Sequence, residues 1–183
     1  MKDNGSLSAD CERGAGHRKH TEQQVNAGYT SYTDHDLLLA YVAVMAELRR
    51  RGITRSSNNP VADYAEGLIA RALNLQLAGR SAAGYDAVDS QGVKYQIKAR
   101  RVTPENPSTQ LSHIRRLESR PFDLLAAVIF DANFSVEYAA LIPPEVVLER
   151  ARYSAHANAH IFLFKRDVLA DPRVTDITSK LTG

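Results

Sequence analysis

Apolar side chains recur along this chain at two spacings, and the switches between them mark out its elements. Leu37, Leu38, Tyr41, Val44, Met45 and Leu48 follow a helical rhythm behind Thr33-Asp34, a helix-start signal, and Arg49-Arg50-Arg51 with Gly52 close that helix. Asn59-Pro60 opens a second helix, running to about residue 74, whose buried stripe is Val61, Ala65, Leu68, Ile69, Ala72 and Leu73. Glu66 lies at the edge of that stripe, where a glutamate is usually just solvated. Residues 75–78 alternate briefly and predict a first strand. Asn106-Pro107 starts a short helix over 107–119, with Leu111, Ile114 and Leu117 inward and Pro121 ending it. Residues 123–130 are almost continuously apolar, as in a strand covered on both faces. Residues 135–142 alternate Val136, Tyr138 and Ala140 against Glu137, Ala139 and Leu141. A helix from Pro143-Pro144-Glu145, a strand over 161–164 and a terminal segment with Val168, Leu169, Val174, Ile177 and Leu181 complete the pattern. This order predicts an α/β domain with a mixed sheet and helices on both of its faces.

The strictest alternation belongs to a hairpin over 84–102. Val93, Tyr95, Ile97 and Ala99 face one way, while Lys94, Gln96, Lys98 and Arg100 face the other. If Ser90-Gln91-Gly92 is a three-residue loop with Gly92 left-handed, Asp86 falls opposite Gln96, and Lys98 lies one diagonal step away on the same side. A two-residue loop would scatter the set. A carboxylate, an amide oxygen and a lysine converging in this way suit a hard divalent cation and a polarised water. The alternative is a surface hairpin in which Asp86 and Lys98 form a weak ion pair.

Composition narrows the field. With 183 residues, 44% of them hydrophobic, the chain can bury one sizeable core, expected over 33–183. Residues 1–32 are polar and read as a disordered tail. Cys11, His17 and His20 in that tail lack a fourth ligand and the paired-cysteine spacing of a zinc site, and a single cysteine excludes an internal disulfide. The hydrophobic runs are too short to span a bilayer and the N-terminus has no signal-peptide core, so a cytoplasmic protein without a membrane partner is expected. From Lys98 to Arg120, six cations stand against two acids, a local excess above the +2 of the whole chain. Arg100, Arg101, His113, Arg115 and Arg116 could meet nucleic-acid phosphates, or form a solvated basic face. His156 and His160 have metal-like spacing, but their surroundings read as a loop and the glutamate of a metalloprotease motif is absent.

Asp86 followed by Gln96-Ile97-Lys98 resembles the PD-(D/E)xK nuclease signature in its variant with glutamine at the middle position, and is similar to restriction enzymes acting on modified DNA. The restriction-endonuclease-like core, α-β-β-β-α-β, follows the order of elements predicted here, and the resemblance spans about residues 59–142. It implies a nuclease hydrolysing DNA phosphodiester bonds with Mg²⁺ or Mn²⁺. Asp86 would be the principal metal ligand, with oxygens from Gln96 and the Ile97 carbonyl. Glu66 would match the acidic residue on the preceding helix, and Lys98 would activate the water. DNA is the implied partner, and a homodimer is compatible with the family. The chain departs from the pattern in having Tyr85 in place of proline, and Gln96 in place of a carboxylate, which removes one negative charge. The same fold without catalysis, binding nucleic acid or a protein, is the alternative.

Overall fold

A computed structural model describes residues 28–79 and 84–182; Cys11, His17 and His20 and most of the expected tail lie outside the described residues. The chain divides into two compact units, Met1–Leu48 and Arg49–Gly183. Most of α1 (Asp34–Arg50) belongs to the first. A reciprocal cap opens it: Asp36 N–H donates to Thr33 Oγ1 at 3.2 Å, and Thr33 N–H donates to Asp36 Oδ2 at 3.0 Å. The inward stripe expected of α1 is not realised. Leu37, Leu38, Tyr41 and Val44 are exposed, as are Leu39 and Val42, and Met45 is the buried residue of the helix. Apolar positions run so far around α1 that the pattern specifies a helix without setting apart one face.

The second unit is built on a mixed six-stranded sheet, giving an α/β architecture. Its order is β1 (Gln76–Leu77), β2 (Ala87–Val88), β3 (Lys94–Arg101), β4 (Leu124–Phe130), β5 (Val136–Ile142) and β8 (Thr175–Asp176). β3 and β4 run parallel, and every other neighbouring pair is antiparallel. β4 is buried on both faces, as its unbroken apolar run requires: Leu125, Ala127 and Ile129 enter one core cluster, and Ala126, Val128 and Phe130 the other. Burying each of its larger side chains contributes about 1.5–3 kcal/mol. A register shift between Ile129 and Phe130 pairs Phe130 with Val136, and this moves Val136 to the side of Ala139, away from the expected Tyr138 and Ala140.

One face of the sheet packs against Ala65 and Ile69 of α2 (Val61–Leu73), Leu181 of α4 (Thr178–Thr182) and Ile177 just before α4. Asn59 Oδ1 accepts the Val61 N–H at 3.1 Å to start α2, and Asn74 ends it in the left-handed conformation, φ 55°. Across the other face lie α3 (Pro144–Arg150), the crossover from β3 to β4, and Phe162 and Phe164, which follow the hairpin of β6 (Arg152–Ser154) and β7 (Ala159–Ile161).

That crossover is not the expected helix. Leu111, Ile114 and Leu117 are buried as anticipated, but the backbone makes only isolated bridges at Gln110 and Ile114, turns left-handed at Arg116 and ends in a single 3-10 turn, Leu117–Ser119. Its polar groups are taken by the distant 160–164 segment: Leu111 N–H donates to the Phe162 carbonyl at 3.0 Å, and Ile114 and His160 exchange bonds of 3.0 and 2.8 Å. A spacing of three suits a helical stripe, yet it also suits an irregular chain whose hydrogen bonds are met from outside. Among the described residues no helix is long and apolar enough to cross a membrane.

Two glycines of the hairpin region differ in what they tolerate. Gly84 (φ +94°) would bring a Cβ to 2.5 Å from the Pro121 side chain, whereas Gly92 (φ +85°) has nothing within 4 Å. Urea denaturation should find Gly92→Ala destabilising by about 1–2 kcal/mol, the cost of left-handed backbone alone. Gly84→Ala should cost clearly more, because the contact adds to that cost.

Candidate functional site

The site begins with a turn. Asp89 Oδ1 accepts the N–H groups of Gln91 at 2.8 Å and Val93 at 3.0 Å, Oδ2 accepts the Tyr95 hydroxyl at 3.2 Å, and Gly92 N–H donates to the Asp89 carbonyl at 3.1 Å. Burial works against the Asp89 charge, but these hydrogen bonds outweigh it and hold the carboxyl below its usual range. Asp89 was not among the expected residues, although Asp followed by Ser-x-Gly is a sequence signal for such a turn. The three-residue loop sets Ala87 opposite Tyr95 and Val88 opposite Lys94, the register expected from Gly92. Asp86 therefore reaches Gln96.

Asp86 immediately precedes β2, at the point where that strand no longer covers β3. Its Oδ2 accepts the Ile97 N–H at 2.7 Å and a hydrogen bond from the Gln96 amide, Nε2. The carboxylate thus fills the position of a missing strand. The Ile97 carbonyl leaves β3 on the same side as its N–H, at this open edge. Gln96 meets Asp86 through its donor end, so its Oε1 points elsewhere as an acceptor. Tyr95 and Ile97 are buried against α2, while Gln96 and Lys98 stay half-buried on the opposite face.

Glu66 enters from α2. Arg55, in the loop before that helix, pairs with Glu66 Oε2 and also donates to the Ala78 carbonyl at 3.2 Å. Asp63, one helical turn before Glu66, fixes the loop, accepting the N–H groups of Arg55 and Ser56 at 2.8 Å each and the Ser56 hydroxyl at 2.9 Å. Burial pushes the Glu66 carboxyl up, the negative charge of Asp86 pushes it further, and the Arg55 guanidinium pulls it back. Arg55 and Asp63 gave no sign in the sequence, because a polar loop does not reveal which carboxylate it will face.

Two clefts join at Lys98. The first, about 450 Å³, is lined by Glu66, Asp86, Ile97, Lys98, Arg100 and Arg101 among others. The second, about 580 Å³, is lined by Gln96, Lys98, His113, Arg115 and Arg116 among others. All the expected site residues therefore line one or the other, with Lys98 and Ser112 common to both. The cations differ in freedom. Arg100 donates to the Ser108 carbonyl at 3.2 Å and to Asn106 Oδ1 at 2.9 Å. Arg101 donates to the Ala132 carbonyl at 2.9 Å, with its guanidinium 4.9 Å from the Phe134 ring centre. His113, Arg115 and Arg116 are exposed.

The candidate metal donors are all oxygen: the Asp86 and Glu66 carboxylates and the Ile97 carbonyl in the first cleft, and the Gln96 amide, which lines the second and bonds to Asp86. That chemistry fits a hard divalent cation, and Glu66, raised first by burial and then by the charge of Asp86, shares this acidic cleft with the Arg55 guanidinium. No group of three or more His, Cys, Asp or Glu side chains that could hold a metal occurs among the described residues, so a cation here would lean on amide and backbone oxygens. His156 and His160 lie in the turn and strand of the β6–β7 hairpin and form no such group. No family model matches the chain, and no curated protein is detectably similar to it.

The charge coupling can be read directly. Carbon-13 NMR titration should place the Glu66 midpoint above that of an ordinary glutamate; Asp86→Asn should lower it and Arg55→Ala should raise it further. Because the folded pKa exceeds the unfolded one, this carboxyl's contribution to stability is full below the unfolded pKa and is lost as pH rises through the folded value. Glu66→Gln should remove that part of the pH dependence in denaturation measurements.

Proposed function

We propose that this protein is a divalent-metal-dependent nuclease that hydrolyses DNA phosphodiester bonds. The observation that carries the reading is the convergence of Asp86, Gln96 and Lys98 across one hairpin with Glu66 from the preceding helix. The succession of α2, the antiparallel β1–β2–β3 and a β4 parallel to β3 supports a restriction-endonuclease-like core, although an irregular segment replaces its second helix.

Asp86 Oδ1, Glu66, Gln96 Oε1 and the Ile97 carbonyl would hold Mg²⁺ or Mn²⁺. When bound, the metal supplies Lewis acidity toward the phosphate and lowers the pKa of water. Lys98 orients the attacking water and balances the negative charge building on the phosphate. The Ile97 N–H holds Asp86 Oδ2 and leaves Oδ1 to face the cleft. Arg115 and Arg116 meet the DNA backbone along the second cleft.

A second reading, a nucleic-acid-binding module without catalysis, is favoured by one feature: Arg55 already supplies a cation to Glu66. The two readings separate in a plasmid-nicking assay with Mg²⁺ or Mn²⁺. The nuclease reading expects metal-dependent nicking that falls by at least about a hundredfold in Lys98→Ala, with unchanged thermal unfolding. It also expects calorimetric metal binding that Asp86→Asn abolishes. Nicking that survives Lys98→Ala would remove the mechanism, and salt-sensitive DNA binding without a metal signal would favour the module.

A further inference from the structure

A third cleft, about 540 Å³, continues the basic track away from Lys98, lined by Arg115, Arg116, Glu118, Tyr153, Asn158 and His160 among others. Arg115 and Arg116 also line the second cleft, which in turn shares Lys98 with the first. The three are therefore linked by common walls. Tyr153 stands half-exposed at the third, its hydroxyl donating to Asn158 Oδ1 at 2.8 Å, which fixes the ring. Behind it, His160 is only 5% exposed, with ring centres 5.3 Å apart.

The histidine's hydrogen bonding is incomplete. Its Nε2 lies 3.4 Å from Glu118 Oε1, and its Nδ1 is buried without a partner among the described residues. Proteins rarely leave such an atom unmatched. Backbone strain gathers at the same place: Arg116 and Asn158, both lining the cleft, hold left-handed φ values of 55° and 44°.

We propose that this cleft is a subsite for one unpaired nucleotide of the DNA strand entering the site. The inference rests on the nuclease reading of the adjoining clefts. The base stacks on the open face of Tyr153, and its edge meets the exposed Glu118 carboxylate, which His160 Nε2 approaches from behind the ring. Arg115 and Arg116 take the phosphate that leads toward Lys98. An aromatic face beside cations is the usual platform for single strands. A base inside an intact duplex cannot enter a concave cleft, because its faces are covered by neighbouring pairs. The substrate implied is therefore single-stranded DNA, or a duplex with an unpaired or frayed end.

Fluorescence anisotropy on the full chain, without metal and at low salt, tests this with three labelled probes: a single-stranded oligonucleotide, the same strand with abasic positions, and a blunt duplex. The wild type should bind the intact single strand most tightly. Tyr153→Ala should weaken that binding about tenfold while leaving duplex binding and thermal unfolding unchanged; Tyr153→Phe, which keeps the ring, should stay within about twofold. Equal binding of intact and abasic strands, or wild-type single-strand affinity in Tyr153→Ala, would overturn the subsite. If that happens while Lys98-dependent nicking persists, the subsite alone fails. Tyr153-dependent strand binding without metal-dependent nicking upholds the subsite and removes the nuclease reading.

Discussion

Asp89 gathers two backbone N–H groups and the Tyr95 hydroxyl at the tip of a hairpin, and the candidate site depends on the register this turn imposes. In a strand pair, a slip of one residue turns every side chain to the other face. Such a slip would take Asp86 from Gln96 and present it to the apolar side that packs on α2. Gly92 supplies the left-handed residue the loop needs, and the Asp89 carboxylate closes it. Strand pairing and site assembly are thus one event.

The site is an unfinished edge of the sheet. β2 is only two residues long, and β3 runs on beyond it for several more. The backbone groups so uncovered must be satisfied, and the Asp86 side chain takes the Ile97 N–H in place of a strand. An open edge usually invites unwanted pairing. Here it offers a carbonyl and a carboxylate side by side, with Glu66 brought close by α2. Two acids in a half-buried cleft repel each other, and Arg55 answers only one of them. The remaining negative charge, lining one cleft with Lys98, is the feature on which the proposed phosphoryl chemistry rests.

The crossover from β3 to β4 brings basic residues to the cleft that Gln96 and Lys98 line. Leu111, Ile114 and Leu117 anchor it to the core while His113, Arg115 and Arg116 stand outward between them. A helix would have spread those side chains around a cylinder. The irregular path instead makes them the shared wall of adjoining clefts, and it brings Tyr153 and His160 of the β6–β7 hairpin into the line.

Local chemistry in the sequence determined the helix starts at Thr33 and Asn59, the doubly buried β4, and the hairpin register that unites Asp86, Gln96 and Lys98. In each case the residues that decide the outcome are neighbours in the chain, or alternate along a single strand. Tertiary structure decided the rest. The 107–119 segment gave up its expected helix because its backbone partners, about fifty residues away around His160 and Phe162, become available only after folding. The apolar residues of α1 stayed exposed, apart from Met45, because a pattern that runs most of the way around a helix specifies the helix but not which side is covered. Arg55 reached Glu66, and Asp63 set its loop, through contacts that no spacing encodes. Turns and strands are written in adjacent residues; hydrogen bonds and charges between distant segments exist only once the fold has closed.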